Sequence, residues 1–175
     1  MVRKQPSFLS AFIILVVIAG LAVWGVSALT NGDMLWFWRD FNARADWIIV
    51  YWDGTEYMLF PGDPGYDAVM DAFADAVAHW AGYEGSVGLS AESLTYYRTA
   101  ERFLELHYNE PVLVHTRHLY PRARTFFVPL SGTHAQWRRV FAGLLETPRA
   151  GVLNLSEARF ERLRTAVVQA IHATP

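Results

Sequence analysis

The chain has 175 residues, a formal net charge of −2, no cysteine and 53% hydrophobic residues. Without cysteine there is no disulfide framework, thiol nucleophile, Cys-ligated zinc, iron–sulfur cluster or lipidated cysteine. The near-neutral charge gives nucleic acid no electrostatic foothold. The apolar residues are unevenly spread: Phe8–Leu29 is a run of 22 residues with no charge and 18 apolar side chains. The remainder has the composition and length of one ordinary globular domain.

As a helix the run 8–29 is about 33 Å long, enough to cross a hydrocarbon core of about 30 Å. Residues 1–7 form a short basic tail with Arg3 and Lys4. We read 8–29 as an uncleaved transmembrane helix, because it is longer than the usual signal-peptide core of about 7–15 residues. Val26-Ser27-Ala28 nevertheless offers small residues for cleavage after Ala28, which would release a secreted soluble domain. Arg3 and Lys4 are nearly balanced by Arg39 and Arg44, so the positive-inside bias is slight. A short basic segment before an apolar one resembles an export signal, and long following domains translocate largely regardless of charge. The expected location is therefore the cell membrane, with the N-terminus cytoplasmic and the C-terminal domain extracytoplasmic.

Asn31-Gly32-Asp33 breaks the helix, and residues 30–45 form an aromatic juxtamembrane segment. Tryptophan favours the headgroup region because its ring is apolar while its N–H needs a partner. Trp24, Trp36, Phe37 and Trp38 are accordingly the membrane-interface candidates. The alternatives are that these aromatics pack on the domain's own core or meet a partner's transmembrane helix.

Residues 46–172 form the domain. Trp47–Trp52 and Thr55–Phe60 flank Asp53-Gly54, a strong hairpin signal. The first strand is apolar on both faces, which suggests a central or doubly covered position. Asp63 is placed to cap the next helix with Pro64 at its first position. Tyr66, Val69, Met70, Phe73, Val77 and Trp80 then make one helical apolar stripe ending near Gly82. Residues 82–88 read as a glycine-rich connector. Ser90 caps a helix over 91–100 with Leu94 and Tyr97 inward. Phe103–Tyr108 alternates as a strand, with Leu104, Leu106 and Tyr108 on one face and Glu105 and His107 on the other. Asn109-Glu110-Pro111 is read as a turn into a strand over 112–115.

Thr125–Leu130 reads as a strand with Pro129 at an edge or an end, and 131–134 as a turn. Residues 138–144 fit a strand or a short helix, and 151–155 a strand. Ser156 is placed to cap a last helix with Phe160, Leu163, Val167 and Ile171 inward. The expected fold is α+β: a transmembrane helix, then one compact domain with a mostly antiparallel sheet and about three helices.

Chemical signals are sparse. Asp67, Asp71 and Asp75 recur at i+4 on the first domain helix, an acidic face for a cation or basic partner, or simply a solvated face. His115 and His118 follow His107 by one strand, but they point apart in extended chain and lack a further zinc-ligand pattern. Arg117, Arg122 and Arg124 frame a basic loop suited to carboxylate, phosphate or lipid headgroups, or to a partner protein. Residues 84–88 fail the G-x-S-x-G elbow because Glu84 stands at the first glycine. No cofactor, nucleic-acid or small-molecule motif is present. The expected role is a single-pass, membrane-anchored extracytoplasmic binding or accessory protein. Its expected partners are the lipid bilayer and other membrane or envelope proteins, as in a subunit of a larger complex. The alternatives are the secreted domain and a membrane-tethered hydrolase using Ser131 or Ser86 with a histidine.

Overall fold

A computed structural model of the chain describes residues 7–35, 37–38, 40–85, 87–116, 122–143 and 151–173. Trp36, Ser86, Arg117 and His118, singled out above, lie outside the described residues, as do 1–6 of the basic tail.

The apolar run forms α1, Phe8–Asn31, whose first turn is capped by the Ser7 hydroxyl accepting from the Ser10 N–H at 3.2 Å. Gly32 ends it in the left-handed conformation (φ 64°), and both its N–H and that of Asp33 close on the Ala28 carbonyl. Glycine suits this position because a Cβ is disfavoured there. The chain then doubles back along the helix, so that Trp24 Nε1 donates to the Met34 carbonyl at 3.2 Å. Phe41 and Ala45 are already buried in the domain core. Phe41 meets Phe73 and Phe126 edge-on at 5.8 and 5.9 Å.

The domain is built on β1 (Trp47–Trp52), β2 (Thr55–Leu59), β3 (Gly82–Glu84), β4 (Phe103–Val112), β5 (Ala123–Pro129), β6 (Arg139–Gly143) and β7 (Val152–Asn154). They form one seven-stranded sheet in the order β2-β1-β4-β5-β6-β7-β3. Every neighbouring pair is antiparallel. The β1–β2 hairpin turns on Asp53 and Gly54, both at positive φ (49° and 82°), the geometry that two-residue hairpins require.

Helices α2 (Tyr66–Ala78) and α5 (Glu157–Ala173) pack side by side on one face. There the α2 stripe and Phe160, Leu163, Val167 and Ile171 cover Ile48, Val50, Leu104, Leu106, Phe126 and Val140. On the opposite face α3 (Ala91–Ala100) sets Leu94 and Tyr97 on Phe103, Phe127, Phe141 and Val152. A five-residue helix, α4 (Gly132–Gln136), follows β5. The chain is thus α+β with an antiparallel sheet, and α4 raises the helix count among the described residues to five.

Several local expectations are corrected. Residues 109–111 do not turn the chain; they lie inside β4, where four residues, 108–111, stand against Arg124 alone between the His107–Thr125 and Val112–Ala123 pairs. Pro111 has no N–H to give a ladder, so it fits the stretch where the ladder is broken. Of the expected strand over 112–115 only Val112 is in a strand, as the end of β4. The connector over 82–88 contains β3, which gains its ladder from β7.

Residues 131–134 enter α4 rather than a simple turn. Asp63 does not cap α2: its carboxylate accepts from the Phe60 N–H at 2.7 Å, and Gly65 starts the helix without a side-chain cap. Trp80 lies beyond the end of α2 at Ala78. Ser156 enters α5 through its carbonyl, bonded to the Phe160 N–H at 3.0 Å, while its Oγ has no partner among the described residues. Of the two positions considered for Pro129, the strand end is the one seen, since β5 is interior to the sheet. Finally, β1 is second from the sheet's edge, with Ile48 and Val50 buried under α2 and α5 and the other face only partly covered, where Tyr51 meets Phe103.

Candidate functional site

Strand register lays out the face beneath α3 in rows. One row runs Met58, Ile49, Glu105, Phe127, Phe141, Val152, Glu84 across the sheet. The next includes Trp47, His107, Thr125 and Gly143. Ten-residue α3 reaches only the Phe127–Val152 half. The other half, over β1 and β4, stays open as a concavity of about 500 Å³ walled by Trp47, Ile49, Tyr51, Glu105, His107 and Arg124.

At its floor Glu105 is fully buried. Arg98, in the last turn of α3, donates to it twice, Nε to Oε1 at 2.6 Å and Nη2 to Oε2 at 3.0 Å. His107 Nε2 lies 3.0 Å from Oε2, and the imidazole stacks flat on Trp47 (centroids 5.0 Å apart, planes within 7°). Burial alone would raise the Glu105 pKa; hydrogen bonds to His107 and Arg98 and the charge they bring outweigh it and hold the carboxyl below its ordinary range. Beside it, burial first and the Glu105 charge second push the Tyr51 phenol up to about 12. The result is a fixed carboxylate that orients an imidazole against an aromatic wall, with a guanidinium above it. Among the described residues the lining holds no serine.

The second polar cluster lies where β5 meets α4. Ser131 donates to Glu101 and accepts from the Arg102 N–H at 2.7 Å, while the Tyr97 hydroxyl is 2.6 Å from His134 Nδ1. Ser131 and His134 are therefore each engaged with another residue. Burial, with Arg139 nearby, lowers the His134 pKa.

The acidic stripe is matched by arginines of the same chain. Asp71 pairs with Arg44 at 2.7 Å and Asp67 lies 3.9 Å from the same side chain. Asp75 is approached by His79, Arg159 and Arg162 at 3.2, 3.3 and 3.5 Å. Among the described residues no group of three His, Asp or Glu side chains is assembled to hold a metal ion. His107 and His115 are not brought together: His115 Nδ1 is 2.8 Å from Asp33 Oδ2.

Comparison of the chain with protein-family models, curated proteins and solved structures returned no match. Function must be read from the geometry.

The His115–Asp33 contact organises the chain around the end of α1. Asp33, buried just beyond α1, also accepts from the Leu35 N–H at 2.8 Å, so it ties the fold-back after α1 to the segment leaving β4. Around it Phe37 and Trp38 are exposed, as are Met34 and Leu35, and Trp24 is partly so. Of the basic-loop candidates, Arg122 and Arg124 are exposed, and Arg124 borders the concavity.

The Arg98–Glu105–His107 set and the Asp33–His115 tie escaped the sequence reading. A glutamate alternating with leucines reads as a solvent-facing position, because alternation assigns a face and not what covers it.

Proposed function

We infer that the chain is a single-pass membrane protein whose domain is held at the membrane surface, outside the cytoplasm, as a binding or accessory module for other envelope proteins. The observation that carries this is α1: 23 residues, Phe8–Thr30, are long and apolar enough to span a bilayer, and none of the most apolar stretch is buried against the domain. A helical stretch apolar on all sides with no protein cover needs another apolar solvent. The exposed Met34, Leu35, Phe37 and Trp38 then form an interfacial collar beside its last turns. The open half of the outer sheet face is the surface offered to a partner.

The test is carbonate extraction followed by protease treatment of intact cells. The expected outcome is a chain that stays in the membrane pellet while its domain is digested from outside. A chain released by carbonate, or a domain fully protected in intact cells, rejects the anchor or the orientation respectively. Blue-native electrophoresis after mild detergent extraction is expected to show a species larger than the monomer.

A further inference from the structure

The rim between β4 and β5 carries positive charge that no carboxylate among the described residues pairs with. Of the ten described arginines, seven lie within ion-pair distance of carboxylates, and Arg138 donates to the Leu155 carbonyl. Arg122 and Arg124 do neither among the described residues, and both are exposed. The carboxylate in the adjoining concavity, Glu105, is buried and engaged by Arg98 and His107, so it does not serve them.

Their position matters as much as their charge. Ala123, between them, pairs with Val112. Three residues beyond Val112, a span of at most about 10 Å, His115 binds Asp33. Asp33 in turn is bonded through its N–H to the Ala28 carbonyl in the last turn of α1. The described span of 23 residues exceeds the hydrocarbon core by only a few ångströms, so that last turn falls in the headgroup layer, about 5–8 Å deep. Exposed Met34, Leu35 and Trp38 mark the same level.

Resting on the membrane reading above, we propose that Arg122 and Arg124 bind the phosphate of an anionic phospholipid headgroup in the leaflet at the C-terminal end of α1. The planar guanidinium fork matches phosphate oxygens two at a time. The surface charge of two arginines corresponds to roughly a 20- to 30-fold preference for anionic over zwitterionic lipid.

The experiment incorporates the full chain into vesicles of equal phosphatidylcholine and phosphatidylglycerol, extracts it in mild detergent, and measures the co-purifying lipids by mass spectrometry. Phosphatidylglycerol is expected to be enriched roughly 20-fold, to fall to near parity in R122Q/R124Q, and to be largely kept by R122K/R124K, which retains the charge that separates the two lipids. Equal retention of the two lipids, or enrichment that survives R122Q/R124Q, overturns the proposal. Displacement of the lipid by inorganic phosphate, but not by chloride of equal ionic strength, overturns the lipid assignment in favour of a soluble-anion site. Vesicles that retain the chain against carbonate yet show no lipid preference reject this site alone. A chain that carbonate strips from them rejects the anchor reading and the lipid site together.

Discussion

Glu105 shows what one residue does when two neighbours are arranged around it. A buried carboxylate loses several kcal/mol of hydration, which a bidentate arginine and an imidazole offset only if both are held in place. The chain holds them: Arg98 hangs from α3, and His107 shares the strand and is stacked on Trp47. Glu105→Gln keeps the shape but leaves Arg98 without its counter-charge. We expect a loss of about 2–4 kcal/mol, read as a fall of roughly 5–15 °C in Tm by thermal scanning. The pH dependence has a definite sign. The folded-state pKa of Glu105 is depressed, so between that value and the ordinary one the unfolded chain binds more protons. The contribution is fully present above about pH 5 and is lost as pH falls through the depressed pKa. Wild type should therefore lose stability more steeply than Glu105→Gln between about pH 5 and pH 3.

Among the elements, the α2–α5 layer depends on Gly65. It combines a φ of 84° with an approach so close that an added Cβ would lie 2.4 Å from the Ala170 Cβ. Gly65→Ala therefore meets both backbone strain and overpacking, and is expected to cost about 2–5 kcal/mol, seen as a lower urea midpoint with an unchanged slope. Gly62→Ala is the control: its φ is 98°, but nothing lies within 4 Å, so strain alone remains at about 1–2 kcal/mol. A second element-level dependence is the tie between α1 and the end of β4. Asp33→Ala removes the partner of His115 and of the Leu35 N–H. Amide exchange over 113–116 and at Leu35 should accelerate, with β1 and β4 protection unchanged.

For the molecule as a whole, one helix whose most apolar stretch has no protein cover and one domain joined at its end set the behaviour. Arginine at both Ile18 and Leu21, near the middle of α1, would add about 2.5–3.5 kcal/mol each to the insertion free energy. The double variant should move from the carbonate-resistant pellet to the soluble fraction while its domain keeps its thermal transition. A double variant still resistant to carbonate would reject α1 as a membrane anchor.

The parts legible in the sequence are those set by neighbours within a turn or two along the chain. Apolar length defined α1, Asp53-Gly54 the hairpin, the 3.6-residue stripe α2, and Ser90 the start of α3, because each rests on local backbone geometry and a single apolar face. Tertiary structure decided what depends on partners far away. β3 is a strand only because β7 lies beside it, and β4 runs through Pro111 only because its ladder with β5 is broken there. Glu105 is buried only because α3 brings Arg98 over it. The open half of the sheet face and the Asp33–His115 tie have the same origin: which surfaces remain uncovered, and which distant side chains meet, follows from strand order and helix length together and leaves no pattern along the chain.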